Sequence, residues 1–183
     1  MSNYRCQWAE NPIFHDYHDT EWGVPVHDDK KQFEFLILES AQAGLSWSTI
    51  LKKREGYKKA FANFDPVKVA KFTQKDVEKL LLNPEIIRNR LKVNAAINNA
   101  QRFLEIQKEF GSFDKYIWGF VGGKTIDNKI KSMSEIKATS KESDALSKDL
   151  IKRGFKFVGS TIIYAHMQAV GMVNDHEVKC YRH

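Results

Sequence analysis

Cysteine, proline and long apolar runs are all scarce in this chain. Only Cys6 and Cys180 occur among its 183 residues, too few to frame a small secreted fold with disulfides, so a reducing compartment is expected. No apolar stretch approaches the roughly 18 residues that a membrane-spanning helix requires. Met1 to Trp8 carries neither an apolar h-region nor a cleavage signature, and the expected location is cytoplasmic. Repeats, low-complexity tracts and linker-like segments are lacking as well. Strict alternation of apolar and polar residues, the mark of half-buried strands, is scarce too.

What is present is an ordinary globular composition, with 42% hydrophobic and 28% charged residues, in a length suited to one compact domain. The net charge of +6 favours polyanionic partners through long-range attraction, but charge alone does not select nucleic acid. Helix punctuation recurs throughout. Asp28 and Asp29 precede a helical stripe of Phe33, Phe35, Leu36, Leu38 and Ala43 that Gly44 closes. Thr73 and Asp76 resemble a capping box. Asp65-Pro66 and Asn83-Pro84 each place a cap beside a proline, as at a helix start. Helical spacing continues from Ile87 to Phe110, where Gly111 ends it. Further helices are expected over 113–121, 141–152 and 161–170, with the longest loop between Gly122 and Ser140. The expected fold is all-α.

Four groups of residues can carry chemistry. His15, Asp16, Tyr17, His18, Asp19, Glu21 and Trp22 form a run dense in groups that ionise, ligate or stack. Glu39 has Leu36 three residues before it and Ala43 four after it, so a carboxylate shares a helix face with core residues and must find donors there. Spacing alone favours a structural role for it, capping a neighbouring helix or pairing with Lys or Arg. Cys6 and His18 near one end, and His176 and Cys180 near the other, are a donor set suited to tetrahedral zinc. Nothing in the spacing brings the ends together, however. Free buried thiols with surface histidines are the alternative, and His15, Asp19 and His183 are competing ligands. Finally, Ile86 to Val93 is a basic turn-to-helix segment. A hairpin over 83–88 would offer backbone N–H groups to a phosphate, with charge from Arg88, Arg90 and Lys92; three such cations also suit a solvated face. Phe155 and Phe157, within a second basic stretch, read as core.

Taken together, these segments resemble the 3-methyladenine DNA glycosylase I family of the helix-hairpin-helix glycosylase superfamily. The similarity runs through YHDTEWGVP at Tyr17 to Pro25, LESAQAGLSW at Leu38 to Trp47, LKKREGYKKAF at Leu51 to Phe61 and FDPVKVA at Phe64 to Ala70. It continues in RGFKFVGSTIIY at Arg153 to Tyr164 and VNDH at Val173 to His176. The resemblance implies a single all-α helix-hairpin-helix domain over 1–183, its N- and C-terminal segments joined by a structural Zn2+ site of Cys6, His18, His176 and Cys180. It implies a monofunctional, monomeric glycosylase that flips 3-methyladenine out of double-stranded DNA and excises it hydrolytically. Glu39 would hydrogen-bond the flipped base and stabilise it as a leaving group. Trp47 would stack on that base, Tyr17 would line its pocket, and Trp22 and Trp8 would border it. Gly44 and Leu45 would fill the gap left in the DNA. One departure stands out: Glu85 and Leu91 occupy places where such hairpins often have glycine. The alternatives are a non-enzymatic, zinc-stabilised helical DNA-binding protein and a glycosylase for another alkylated purine such as 3-methylguanine. A regulator normally presents a helix with several base-reading polar side chains, and none is evident.

Overall fold

A computed structural model describes residues 4–183; the first three residues of the Met1–Trp8 stretch and of the expected 1–183 domain lie outside them. Nine α-helices are present among the described residues: α1 His15–Thr20, α2 Asp29–Gln42, α3 Trp47–Ala60, α4 Pro66–Val69, α5 Gln74–Leu82, α6 Arg90–Phe110, α7 Phe113–Trp118, α8 Lys141–Lys152 and α9 Ser160–Ala169. Among the described residues one tiny parallel ladder pairs β1, Ile126–Asp127, with β2, Val173–Asn174, in the register Ile126 to Val173.

The local signals explain most of the boundaries. Asp28 accepts the Lys31 N–H at the start of α2, and Asp65 accepts from Val67 and Lys68 ahead of α4, with Pro66 in the first turn where its missing N–H is harmless. At α5 the Asp76 carboxylate accepts both the N–H and the hydroxyl of Thr73. Gly111, at φ +86°, closes α6.

Asn83-Pro84 is a correction. It does not open a helix: Asn83 caps the end of α5, and α6 begins at Arg90, three residues later than the spacing from Ile87 predicts. The Asn83 Oδ1 accepts the Glu85 N–H at 2.9 Å, bending the chain into a local turn. Asn89 then takes the cap by accepting the Lys92 N–H. The segment between α5 and α6 is therefore a hairpin.

Helix α2 is the centre of the molecule. It packs against α3, α6, α7 and α9, and its buried residues run from Gln32 and Phe33 through Phe35 to Ala41 without a solvated face, as expected of a helix enclosed on all sides. Glu39 sits on this enclosed helix. After α9 the chain turns at Gly171, where φ is +70° and an added Cβ would lie 2.4 Å from the Pro25 backbone nitrogen. Only glycine admits that approach, which seats the end of α9 against residues 23–26, where the Gly23 and Val26 N–H groups donate to the Gln168 and Val170 carbonyls. The tail beyond pairs with β1, and the Tyr181 N–H donates to the Tyr4 carbonyl, so the N- and C-terminal segments meet.

Candidate active site

A cavity of about 340 Å³ opens between α1, α2, α3, α9 and the loop after α7, within the size range of small-molecule sites. It is lined by Trp8, Tyr17, Trp22, Glu39, Gln42, Trp47, Met133, Ile136, Ala165 and Gln168. The aromatic walls are in mutual contact. Tyr17 and Trp47 have ring centroids 5.2 Å apart, and Trp8 meets Trp22 edge-on at 4.8 Å.

Glu39 is 4% exposed, and its carboxyl has no hydrogen-bond or salt-bridge partner among the described residues. The structural roles that spacing favours, a helix cap or an ion pair, are not what it does. Burial alone pushes its pKa up to about 8. Tyr17 is raised too, by burial first and then by the charges of Glu39 and Glu21. An aromatic box holding one acidic group without a protein partner suits a flat, electron-poor ring that carries donors on its edge.

All five pocket residues named from the sequence meet in this cavity. Gln42, Met133, Ile136, Ala165 and Gln168 were missed. Gln42 lies three residues after Glu39 and shares its face, a signal that was available. Met133 and Ile136 come from an irregular loop that has no periodicity to read.

Beyond Trp22, the ligand atoms of Cys6, His18, His176 and Cys180 lie within 4.8 Å of one another, and all four residues are buried. The His18 Nε2 is 3.4 Å from the Cys180 Sγ, and the His176 Nδ1 is 3.5 Å from the Cys6 Sγ. The second nitrogen of each ring is already engaged: His18 Nδ1 is 2.8 Å from Asp19 Oδ1, and His176 Nε2 is 3.0 Å from the Trp22 carbonyl oxygen. Arg5 in turn grips Asp19. Backbone N–H groups of Glu177 and Arg182 donate to the two sulfurs. Burial lowers the pKa of both imidazoles, that of His176 to about 4, and so keeps them in the neutral, ligating form. The S···N spacings match the edges, roughly 3.5 Å, of a tetrahedron built with metal–sulfur bonds of about 2.3 Å and metal–nitrogen bonds of about 2.0 Å. The competing ligands fall outside. Asp19 orients His18, the His183 ring bonds the His176 carbonyl, and His15 is not in the cluster.

The family model described as methyladenine glycosylase matches residues 7–183. The chain belongs to the methyladenine glycosylase family. It is 50% identical over 177 residues to DNA-3-methyladenine glycosylase 1 of Escherichia coli (strain K12), covering 96% of this chain and 95% of that protein. A crystal structure of 3-methyladenine DNA glycosylase I superposes with a TM-score of 0.95 at 48% identity, covering 98% of this chain and 100% of the other. A tyrosine-to-phenylalanine variant of 3-methyladenine DNA glycosylase I in complex with 3-methyladenine superposes with a TM-score of 0.94 at 39% identity, covering 98% and 96%.

In this methyladenine glycosylase the residues expected at DNA take differing positions. Gly44, at φ +76° with open space around it, and the 40% exposed Leu45 form the turn between α2 and α3, and Ser46 caps α3 directly before Trp47. The protruding turn and the pocket wall are thus two residues apart. Among the three cations of the hairpin, Arg88 makes no ion pair or hydrogen bond with the described residues. Arg90 grips Glu78 through two bonds of 2.7 and 2.9 Å. The Lys92 ammonium is directed at the end of α2, donating to the Ala41 and Ala43 carbonyls.

Proposed function

We propose that this methyladenine glycosylase flips 3-methyladenine out of alkylated double-stranded DNA into the aromatic cavity and releases it by hydrolysis. The observation that carries this reading is the Glu39 carboxyl, buried beside Tyr17 and Trp47 without a partner among the described residues. Methylation at N3 gives the purine a positive charge. When the glycosidic bond breaks, its electron pair returns to the ring and the base leaves neutral, so little further activation is required. The π faces of Trp47 and Tyr17 attract the cationic ring, while Glu39 accepts hydrogen bonds from its amine or ring edge.

The raised pKa of Glu39 adds charge selection. A cation in the pocket draws the carboxyl toward its ionised form, whereas neutral adenine brings no charge to offset the burial of that carboxyl and gains less from it. Selectivity follows from this, from shape and from the lower cost of unpairing a damaged base. Water adds to the sugar carbon that the base vacates and gives up one proton to solvent, and Glu39 serves recognition and the leaving group. No lysine lines the cavity among the described residues, which supports a monofunctional enzyme without a Schiff base.

Leu45 fills the gap that the flipped nucleotide leaves, with Arg88 on the flanking phosphates. Cys6, His18, His176 and Cys180 would hold a structural zinc, four protein donors leaving it no position for water and no part in the reaction. The chain acts as a single helical domain, as a monomer, in the cytosol.

The test is release of free base from methylated duplex DNA. Wild-type protein liberates 3-methyladenine, and chromatography separates it from 3-methylguanine. Glu39→Gln is expected to slow single-turnover excision roughly 10- to 100-fold, the equivalent of one charge-assisted hydrogen bond, while binding undamaged duplex as before. A Gln variant that excises at the wild-type rate would return Glu39 to a structural role.

A further inference from the structure

We propose that Lys92 is a positioning residue: it fixes the Gly44–Leu45 turn over the base pocket, and its ammonium is not a phosphate contact. The proposal rests on the function proposed above.

Helix α2 ends at Gln42 with free C-terminal carbonyls, the negative end of its dipole, and it has no basic residue in its own last turn. Lys92, in the first turn of α6, supplies what is missing. Its Nζ donates to the Ala41 carbonyl at 2.8 Å and to the Ala43 carbonyl at 2.6 Å. Two of three ammonium donors are therefore committed to the protein, in a partly buried place that lowers the lysine pKa.

The turn has little else to hold it. Leu45 N–H bonds back to the Gln42 carbonyl, nothing lies within 4 Å of the Cβ position of Gly44, and among the described residues no other side chain hydrogen-bonds residues 41–45. The base of Lys92 is firmly set. Its own N–H is bonded to the Asn89 cap, the Ile87 N–H donates to the Tyr57 hydroxyl at 3.2 Å, and the Lys53 Nζ donates to the Pro84 carbonyl at 2.7 Å. The hairpin is thereby anchored on α3, and Lys92 carries that anchorage across to the end of α2. The turn that enters DNA and the hairpin that faces the backbone are held in one register. A wedge misplaced by about 1 Å loses on the order of 100-fold in rate.

The experiment uses the zinc-loaded protein and three measurements: single-turnover excision of 3-methyladenine from methylated duplex, binding of undamaged duplex across a salt series, and binding of free 3-methyladenine read by tryptophan fluorescence. Lys92→Met keeps the aliphatic stem and removes the donors. Excision is expected to fall about 10- to 100-fold, with free-base binding and salt slope unchanged. In a Leu45→Ala background the same substitution should cost no more than about twofold, because it acts through the residue already removed. Lys92→Arg keeps the charge but not the compact ammonium that reaches both carbonyls, so it too should slow excision while leaving the salt slope intact; this second variant decides the matter if the Met variant does not fold. A salt slope lower by about one, with affinity lost equally for damaged and undamaged duplex, is the signature of a phosphate contact and would overturn the proposal. So would wild-type excision by either variant, or a full loss in the Leu45→Ala background. Failure of the wild-type protein to release 3-methyladenine would instead overturn the proposed function.

Discussion

At the scale of single residues, Glu39 links function to stability. In an unfolded chain its carboxyl ionises near pH 4.3; in the folded protein burial delays this to about 8. Between those values the folded state binds the extra proton, so the contribution of Glu39 to stability is highest at acid pH, falls as pH rises through the window, and is flat above it. Glu39→Gln cannot ionise and escapes the loss. Its melting temperature is expected to equal that of wild type near pH 4, to rise above it with pH, and to lead by about 5 °C or more at pH 8, given some 2–4 °C per kcal/mol for a chain of this size. Thermal melts at four or five pH values check this, and a gap that does not change with pH would contradict the burial cost. A variant that is more stable and less active is what a strained binding group should give. The burial of Glu39 was legible in its spacing from Leu36 and Ala43. Its lack of a partner was not, because the donors that might have met it belong to elements distant in sequence.

At the scale of elements, the hairpin between α5 and α6 shows how a departure from pattern is accommodated. Glu85 and Leu91 stand where glycine was expected, yet no residue from 83 to 91 has positive φ, so the backbone does not require glycine there. The close approach is provided from the other side. A Cβ on Gly56 of α3 would lie 2.4 Å from the Glu85 carbonyl oxygen and 2.5 Å from its Cβ. Gly56→Ala must therefore push the hairpin away from α3. A loss of about 1–3 kcal/mol is expected from overpacking, with weaker binding of duplex DNA and undiminished binding of free 3-methyladenine. Melting and affinity measurements check it; an alanine variant with the wild-type melting point would mean that the hairpin is free to move. The start of α6 was misplaced for a related reason. Apolar spacing continues backwards through Ile87 and Ile86, but Ile86 is buried and Ile87 partly buried by the hairpin's packing rather than by a helical face.

At the scale of the whole molecule, the ends of the chain form one unit. Cys6 and His18 come from the first segments and His176 and Cys180 from the tail, and Trp22 is shared: its carbonyl meets His176 while its side chain lines the aromatic cavity. A four-ligand zinc would tie these segments together without offering a position to water. Metal analysis should give about one zinc per chain. Chelation should lower the melting temperature clearly, while the protein that remains folded excises the base at its former rate. Little zinc, or a melting point indifferent to chelator, would leave the four residues as a packed cluster of thiols and imidazoles. Among the described residues no helix is long and apolar enough to cross a membrane.

The sequence by itself determined the helical content, most helix starts and the types of residue available for chemistry, because capping and apolar period are local and are decided within one or two turns. Through resemblance it also determined which residues belong together. Tertiary structure decided what local patterns cannot carry: that the N- and C-terminal segments meet, that Met133 and Ile136 wall the pocket, and that Glu39 is left without a partner among the described residues. It also decided what each of three neighbouring cations does. Arg88, Arg90 and Lys92 are alike in sequence, but among the described residues one has no ion-pair or hydrogen-bond partner, one is held by Glu78 and one holds the end of α2. That division depends on which acceptors lie within about 3 Å of each head group, and those acceptors come from residues 12 and about 50 positions away.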